Sequence, residues 1–172
     1  MRLLAAALAA LLAAPAIAGS PPAPGLPAKT VAPVTVTPRT DPPKIVSSYP
    51  AAGQVIAPGA LVLRITFDQA MDEAGFAFTD APGGQSLRCL KTPRLLTDEK
   101  TFVLLCATAP GSAYALAFNT APQGGFASIS GARAATTELA FSTNEDDGPR
   151  DVDAALKAAN LTREDMPIAT QP

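Results

Sequence analysis

Between Lys44 and Thr143 the chain alternates short apolar-periodic runs with clusters of Gly, Pro, Asp and Asn. In LVLRITF, Leu61, Leu63, Ile65 and Phe67 fall on one side, and Val62, Arg64 and Thr66 on the other. In AYALAF, Tyr114, Leu116 and Phe118 share a face opposite alanines; in TELAFS, Leu139 and Phe141 face inward while Glu138 and Ser142 do not. Alternation with period two marks strands that bury one face. The pattern predicts seven strands: Lys44–Tyr49, Ala60–Phe67, Gly75–Phe78, Ser86–Lys91, Thr101–Ala107, Ala113–Asn119 and Thr136–Ser142. Ala-Pro-Gly at 57–59 and 109–111, Ala-Pro-Gly-Gly at 81–84 and Gly-Gly at 124–125 supply turns between them. Regularly spaced short strands without a helix between them specify an all-β, antiparallel sandwich over residues 44–143.

The flanks read differently. Arg2 precedes an uncharged Leu/Ala run to Pro15, and Ala16-Ile17-Ala18 places small residues where a signal peptidase inspects the chain. Residues 1–18 are therefore expected to be a secretory signal cleaved before Gly19. Their apolar run of roughly 16 residues is shorter than the ~20 that span a bilayer. No later segment is apolar enough to span either, so the mature chain is expected to carry no membrane span. Eight of the 25 residues in 19–43 are proline, at 21, 22, 24, 27, 33, 38, 42 and 43. Proline fixes φ and removes a backbone donor, so this stretch is expected to be a disordered linker sampling polyproline II. After Thr143, Asn144–Pro149 is a polar break and residues 144–172 an acidic tail. Within it DVDAALKAAN predicts a short helix, Asp151–Asn160, with Val152, Ala155, Leu156 and Ala159 on one face. A helix this short is marginal alone. The expectation is a lightly docked or frayed end, with a partner-binding tail as the alternative.

Removing residues 1–18 leaves 172 − 18 = 154 residues, with all 15 acidic but only 12 of the 13 basic side chains, a formal charge of −3. That balance argues against nucleic acid, which calls for a basic face. Two cysteines, Cys89 and Cys106, sit in strand-like runs either side of a polar turn at Thr97–Lys100. An even count in an exported chain favours a disulfide between them, two buried free thiols being the alternative.

The stretch KIVSSYPAAGQVIAPGALVLRITFDQAMD resembles the opening of bacterial immunoglobulin-like domains of the SbsA type. The matching residues are Ser48, Pro50, Ala51, Gly53, Ile65, Thr66, Phe67, Met71 and Asp72, followed by a Tyr-bearing strand at Ala113–Asn119 and a last strand ending Phe141-Ser142-Thr143. The likeness covers roughly residues 44–143. It implies an Ig-like sandwich and an exported or cell-surface setting, and carries no catalytic residue with it.

The chain has no histidine. A Ser-His-Asp or Cys-His site cannot be built without one, and the commonest ligand for copper and zinc is missing. This bears on a second resemblance: periplasmic copper-binding proteins of the CopC type share the Ser-x-Pro-Ala-x-Gly opening, but their metal site depends on histidines. Asp68, Asp72 and Glu73 lie close together in one turn, with Asp80 further on, and are candidates for a calcium site, since calcium takes carboxylate oxygens. The competing account is a solvated turn whose carboxylates accept from nearby backbone amides. Arg88, Lys91, Arg94 and Lys100 gather around the cysteine-bearing strands, either as a patch for an anionic partner or as a solvated sheet face. Together these readings describe an exported, non-catalytic module, periplasmic or at the cell surface, without a cofactor. It serves as a binding or spacing element towards an envelope protein or cell-wall component. The alternative is a periplasmic metal-binding protein, with calcium at the Asp68–Glu73 turn or, failing that, copper.

Overall fold

The computed structural model describes residues 41–168 except Lys91. The expected signal segment 1–18, the linker up to residue 40 and the last four residues lie outside the described part. Among the described residues, nine strands form two sheets. The first runs in the order β1 (Ile45–Tyr49), β3 (Gly59–Phe67), β7 (Thr101–Thr108), β5 (Arg88–Cys89), with β6 (Arg94–Leu95) also on β7. The second is β2 (Val55–Ile56), β9 (Thr137–Thr143), β8 (Ala113–Phe118), β4 (Phe78–Asp80). All neighbours are antiparallel except β2, which runs parallel to β9. One sheet built from strands one, two, five and four of the core and the other from three, six and seven is the arrangement of an immunoglobulin-like sandwich. Its tyrosine corner is present too: the Tyr114 hydroxyl accepts from the Ala109 amide at 2.7 Å across the β7–β8 link.

The alternating positions meet between the sheets. Leu61, Leu63, Ile65 and Phe67 of β3 pack with Phe102, Leu104 and Cys106 of β7, Tyr114, Leu116 and Phe118 of β8, and Leu139 and Phe141 of β9. Removing such side chains from water contributes about 1.5–3 kcal/mol each. Phe126, from the long β8–β9 link, closes this core with its ring 5.0 Å from Phe102 and 5.4 Å from Phe67. Met71 fills the end of the core.

Two of the expected strands differ from the structure. The strand expected at Gly75–Phe78 is a loop until its last residue, β4 starting at Phe78. A Cβ on Gly75 would lie 2.8 Å from the Gly125 carbonyl oxygen, so this loop packs on the 124–127 segment instead of joining a ladder. The strand expected at Ser86–Lys91 contracts to Arg88–Cys89. Pro93, which has no amide hydrogen, then separates β5 from β6.

The acidic tail adds a third layer, and the expectation of a frayed end is corrected. Helix α1 (Val152–Ala158) lies on the outer face of the first sheet, where Ala155, Leu156 and Ala159 cover Val62 and Val103. Both valines are fully buried. The reason lies in the strands: β3 and β7 carry apolar side chains on both faces, and the outward ones need cover. The seating is fixed at both ends. Asp151 caps the helix by accepting from Ala154 N–H at 2.8 Å. Past a single 3-10 turn at Arg163–Asp165, the Arg94 guanidinium donates to the carbonyls of Glu164 and Met166 at 3.0 and 2.7 Å. At the entry to the helix two backbones touch. A Cβ on Gly148 would sit 1.8 Å from the Pro58 oxygen, and one on Gly59 2.3 Å from the Pro149 oxygen, so both positions require glycine. Among the described residues no helix is long and apolar enough to cross a membrane.

The β6–β7 turn gives the sandwich an acid-sensitive element. Asp98 accepts from the amides of Lys100 and Thr101 at 2.9 Å each and from the Thr101 hydroxyl at 2.6 Å. Burial pushes its carboxyl upward, but these hydrogen bonds and the Lys100 charge outweigh it and hold the group below the ordinary carboxylate value. A depressed folded-state pKa means the contribution is present above the unfolded-state value and is lost as pH falls through the folded one. Melting curves from about pH 5 down to about pH 2 should therefore show an acid limb that Asp98→Asn flattens. An unchanged limb in that variant would assign the acid sensitivity to other groups.

Candidate interaction surface

The residues singled out for metal binding do not converge. Asp68 Oδ1 accepts from the Lys44 amide and Asp72 Oδ1 from the Ala74 amide, both at 3.0 Å. Asp80 accepts from Leu87 N–H at 3.2 Å. These are the bonds of carboxylates that shape turns. Asp72 and Glu73 line a cleft of about 510 Å³ with Met71, Leu96, Glu99 and Ile129, but Asp68 is not part of it. Among the described residues no three His, Cys, Asp or Glu side chains are grouped as a metal would need. The calcium expectation for the Asp68–Glu73 turn therefore finds no assembled site.

The cysteines do come together. Cys89 and Cys106 are bonded, and they face each other directly across β5 and β7. The neighbouring Leu90 N–H donates to Leu105 O at 2.9 Å, so the cysteines occupy the non-hydrogen-bonded rung, where strands approach most closely. Their Cα atoms are 3.9 Å apart. The bond is thus within one sheet and does not cross the core between sheets.

The basic group is dispersed. Arg94 is spent on the tail carbonyls, and Lys91 lies outside the described residues. Arg88 points away from Cys89, as the strand alternation predicts: Cys89 packs against the inter-sheet core while Arg88 stands exposed on the outer face.

On that outer face, between the β5 edge and the start of α1, lies an open cleft of about 520 Å³. Ala60, Leu90, Leu105 and Val152 make its floor and walls, with Arg88 and Arg150 at the rim. Arg150 pairs with Asp147 at 3.0 Å on the surface. A second cleft, about 390 Å³, shares Leu90 and continues along Pro93, Pro167 and Ile168. Leu90 and Ile168 are 44% and 49% exposed and both belong to this one strip, whereas the more exposed Val46, Val55 and Ile129 lie outside it. Sequence reasoning passed over it because Leu90 read as an ordinary strand residue. The available signal was LRCL, which sets Arg88 and Leu90 together on the side opposite Cys89.

Fold and surface together define an Ig-like sandwich with a helical third layer and an apolar strip along one sheet edge. No known protein-family profile matches the chain, and no curated protein resembles it closely enough to count as a relative.

Proposed function

We propose that this chain is an exported, non-catalytic Ig-like module of the SbsA type that binds another component of the bacterial envelope. The observation that carries the reading is the apolar strip of Leu90 and Ile168, left open beside the part of the first sheet that the tail covers. Contiguous apolar surface held open in this way marks an interaction site. The Cys89–Cys106 bond supports an oxidising compartment, where such bonds persist. The segment ending Ala16-Ile17-Ala18 supplies the route there.

The experiment has two parts. Expressed in a bacterium, the chain should be recovered outside the cytoplasm with Gly19 as its first residue. Tagged mature chain should then retain a reproducible envelope component from a detergent extract. Uncleaved chain confined to the cytoplasm would defeat the export reading, and an empty capture in repeated trials would leave a passive spacer. Removing Asp151–Pro172 is no substitute for point changes in this test. It would bare Val62 and Val103 and so perturb the fold along with any tail-mediated binding.

A further inference from the structure

We propose that the β5 edge beside the cleft is a docking site, and that its occupant is an extended peptide segment of a partner protein carrying an acidic and an aliphatic side chain two residues apart, on one face. This rests on the binding-module reading and names the chemistry of the partner.

Three observations converge. The first is backbone geometry. Leu90 turns its N–H toward β7, so the register turns the N–H and C=O of Cys89 out to the free edge of the sheet. A strand laid along β5 satisfies both groups, as in β-augmentation. The opposite edge, β1, carries a bulge between Ile45 and Ser47 that breaks the ladder and disfavours such pairing.

The second is side-chain periodicity. Alternate side chains of an added strand fall on the outer face beside Arg88 and Leu90 of β5, at the margin of the cleft that Ala60, Leu105 and Val152 also line. A peptide long enough to pass Leu90 meets Ile168 and Glu73 in the adjoining cleft, so its acidic side chain belongs at the Arg88 end. An acyl chain could use the floor but would leave the outward groups of Cys89 unpaired.

The third is charge. Arg150 is engaged by Asp147, and the Asp151 carboxylate is committed to capping α1. Arg88 is exposed at the rim and has no ion-pair partner among the described residues. The charge carried by β5 itself, on the face that Leu90 shares, is therefore positive. An acidic side chain fits there and a basic one is repelled, which gives the site selectivity as well as grip.

The test uses the oxidised chain lacking only the signal segment, titrated by fluorescence anisotropy into a labelled Thr-Glu-Thr-Val-Thr-Val peptide and its Thr-Lys-Thr-Val-Thr-Val counterpart, each with its charged and aliphatic side chains on one face. The glutamate peptide should bind saturably and the lysine peptide at least about tenfold more weakly. Arg88→Glu should reverse that preference, and Leu90→Asp should weaken both peptides. Both changes fall at exposed positions, and thermal melts establish that each variant is folded. Amide shifts on binding should centre on Arg88, Cys89 and Leu90. Equal binding of the two peptides, no saturation by ~1 mM, an unaltered preference in Arg88→Glu, or shifts centred elsewhere would each overturn the proposal. Envelope capture separates this failure from that of the parent reading. A component retained equally by wild type and Arg88→Glu removes this site while leaving a binding module.

Discussion

Replacing Asn119 by alanine should cost the sandwich about 3–5 kcal/mol, a fall in Tm of roughly 10–20 °C by thermal unfolding. Asn119 is buried at the end of β8 and organises the link that follows. Its Oδ1 accepts from Phe126 N–H at 2.7 Å, and its Nδ2 donates to the carbonyls of Phe126 and Ala134 at 2.9 Å each. Its own carbonyl receives the Arg133 guanidinium and the Thr136 hydroxyl, both at 2.9 Å. Alanine would leave the Phe126 amide and the Ala134 carbonyl without partners in a buried site, each worth about 1–3 kcal/mol, while the Phe126 carbonyl would keep only the Ala134 amide. It would also occupy a backbone position with φ of 57°, which asparagine tolerates and alanine does not. Asn119→Gly separates the two effects, relieving the backbone but not the hydrogen bonds, and should recover only about 1 kcal/mol. Because Phe126 caps the aromatic cluster of the core, near-UV circular dichroism should report the change too. A loss below about 1 kcal/mol in Asn119→Ala would sink this account.

Opening the disulfide should be the second large effect. Replacing Cys89 and Cys106 together by alanine, or reducing the bond, should destabilise the domain by about 2–5 kcal/mol. The bond closes a loop with a sequence separation of 17, for which release of the unfolded chain alone predicts about 3 kcal/mol. Local consequences should exceed that figure. β5 is two residues long and pairs only with β7, so without the bond its amides should exchange fastest in the first sheet. Denaturant melts with and without reductant measure the first quantity, and hydrogen exchange at Leu90 the second. If reduction left both unchanged, the bond would be an ornament on an edge already held by its ladder.

How far these features were legible follows from how each is specified. β3, β7, β8 and β9 could be read because each buries one face against the other sheet, and the alternation records that directly. β2 and β6 could not. At two residues each they have no period of their own, and their place is set by β9 and β7. The seat of α1 was hidden by the company Val62 keeps. With Arg64 and Thr66 as its companions on that face it read as part of a polar side, although it and Val103 are as buried as anything between the sheets. The turn residues Asp68 and Asp72 were readable as amide acceptors, since short acidic side chains in turns have such partners within reach. Asn119 was readable only as the end of a strand. What makes it special is two partners lying 7 and 15 residues further on, and no local pattern encodes them.

The parallel pairing of β2 with β9 bears on the order in which the molecule can be made. Val55 lies beside Ser142, so this contact closes a span of 142 − 55 = 87 residues. Bringing such ends together carries an entropic cost of about 4 kcal/mol by the loop-length relation, before any gain from the pairing itself. The second sheet thus completes late, after β8 and β9 have zipped together. For a chain threaded across a membrane N-terminus first, β2 emerges early and waits for a mate that is still on the other side. If the chain is exported as proposed, its second sheet can be completed only in the compartment where its last strand arrives.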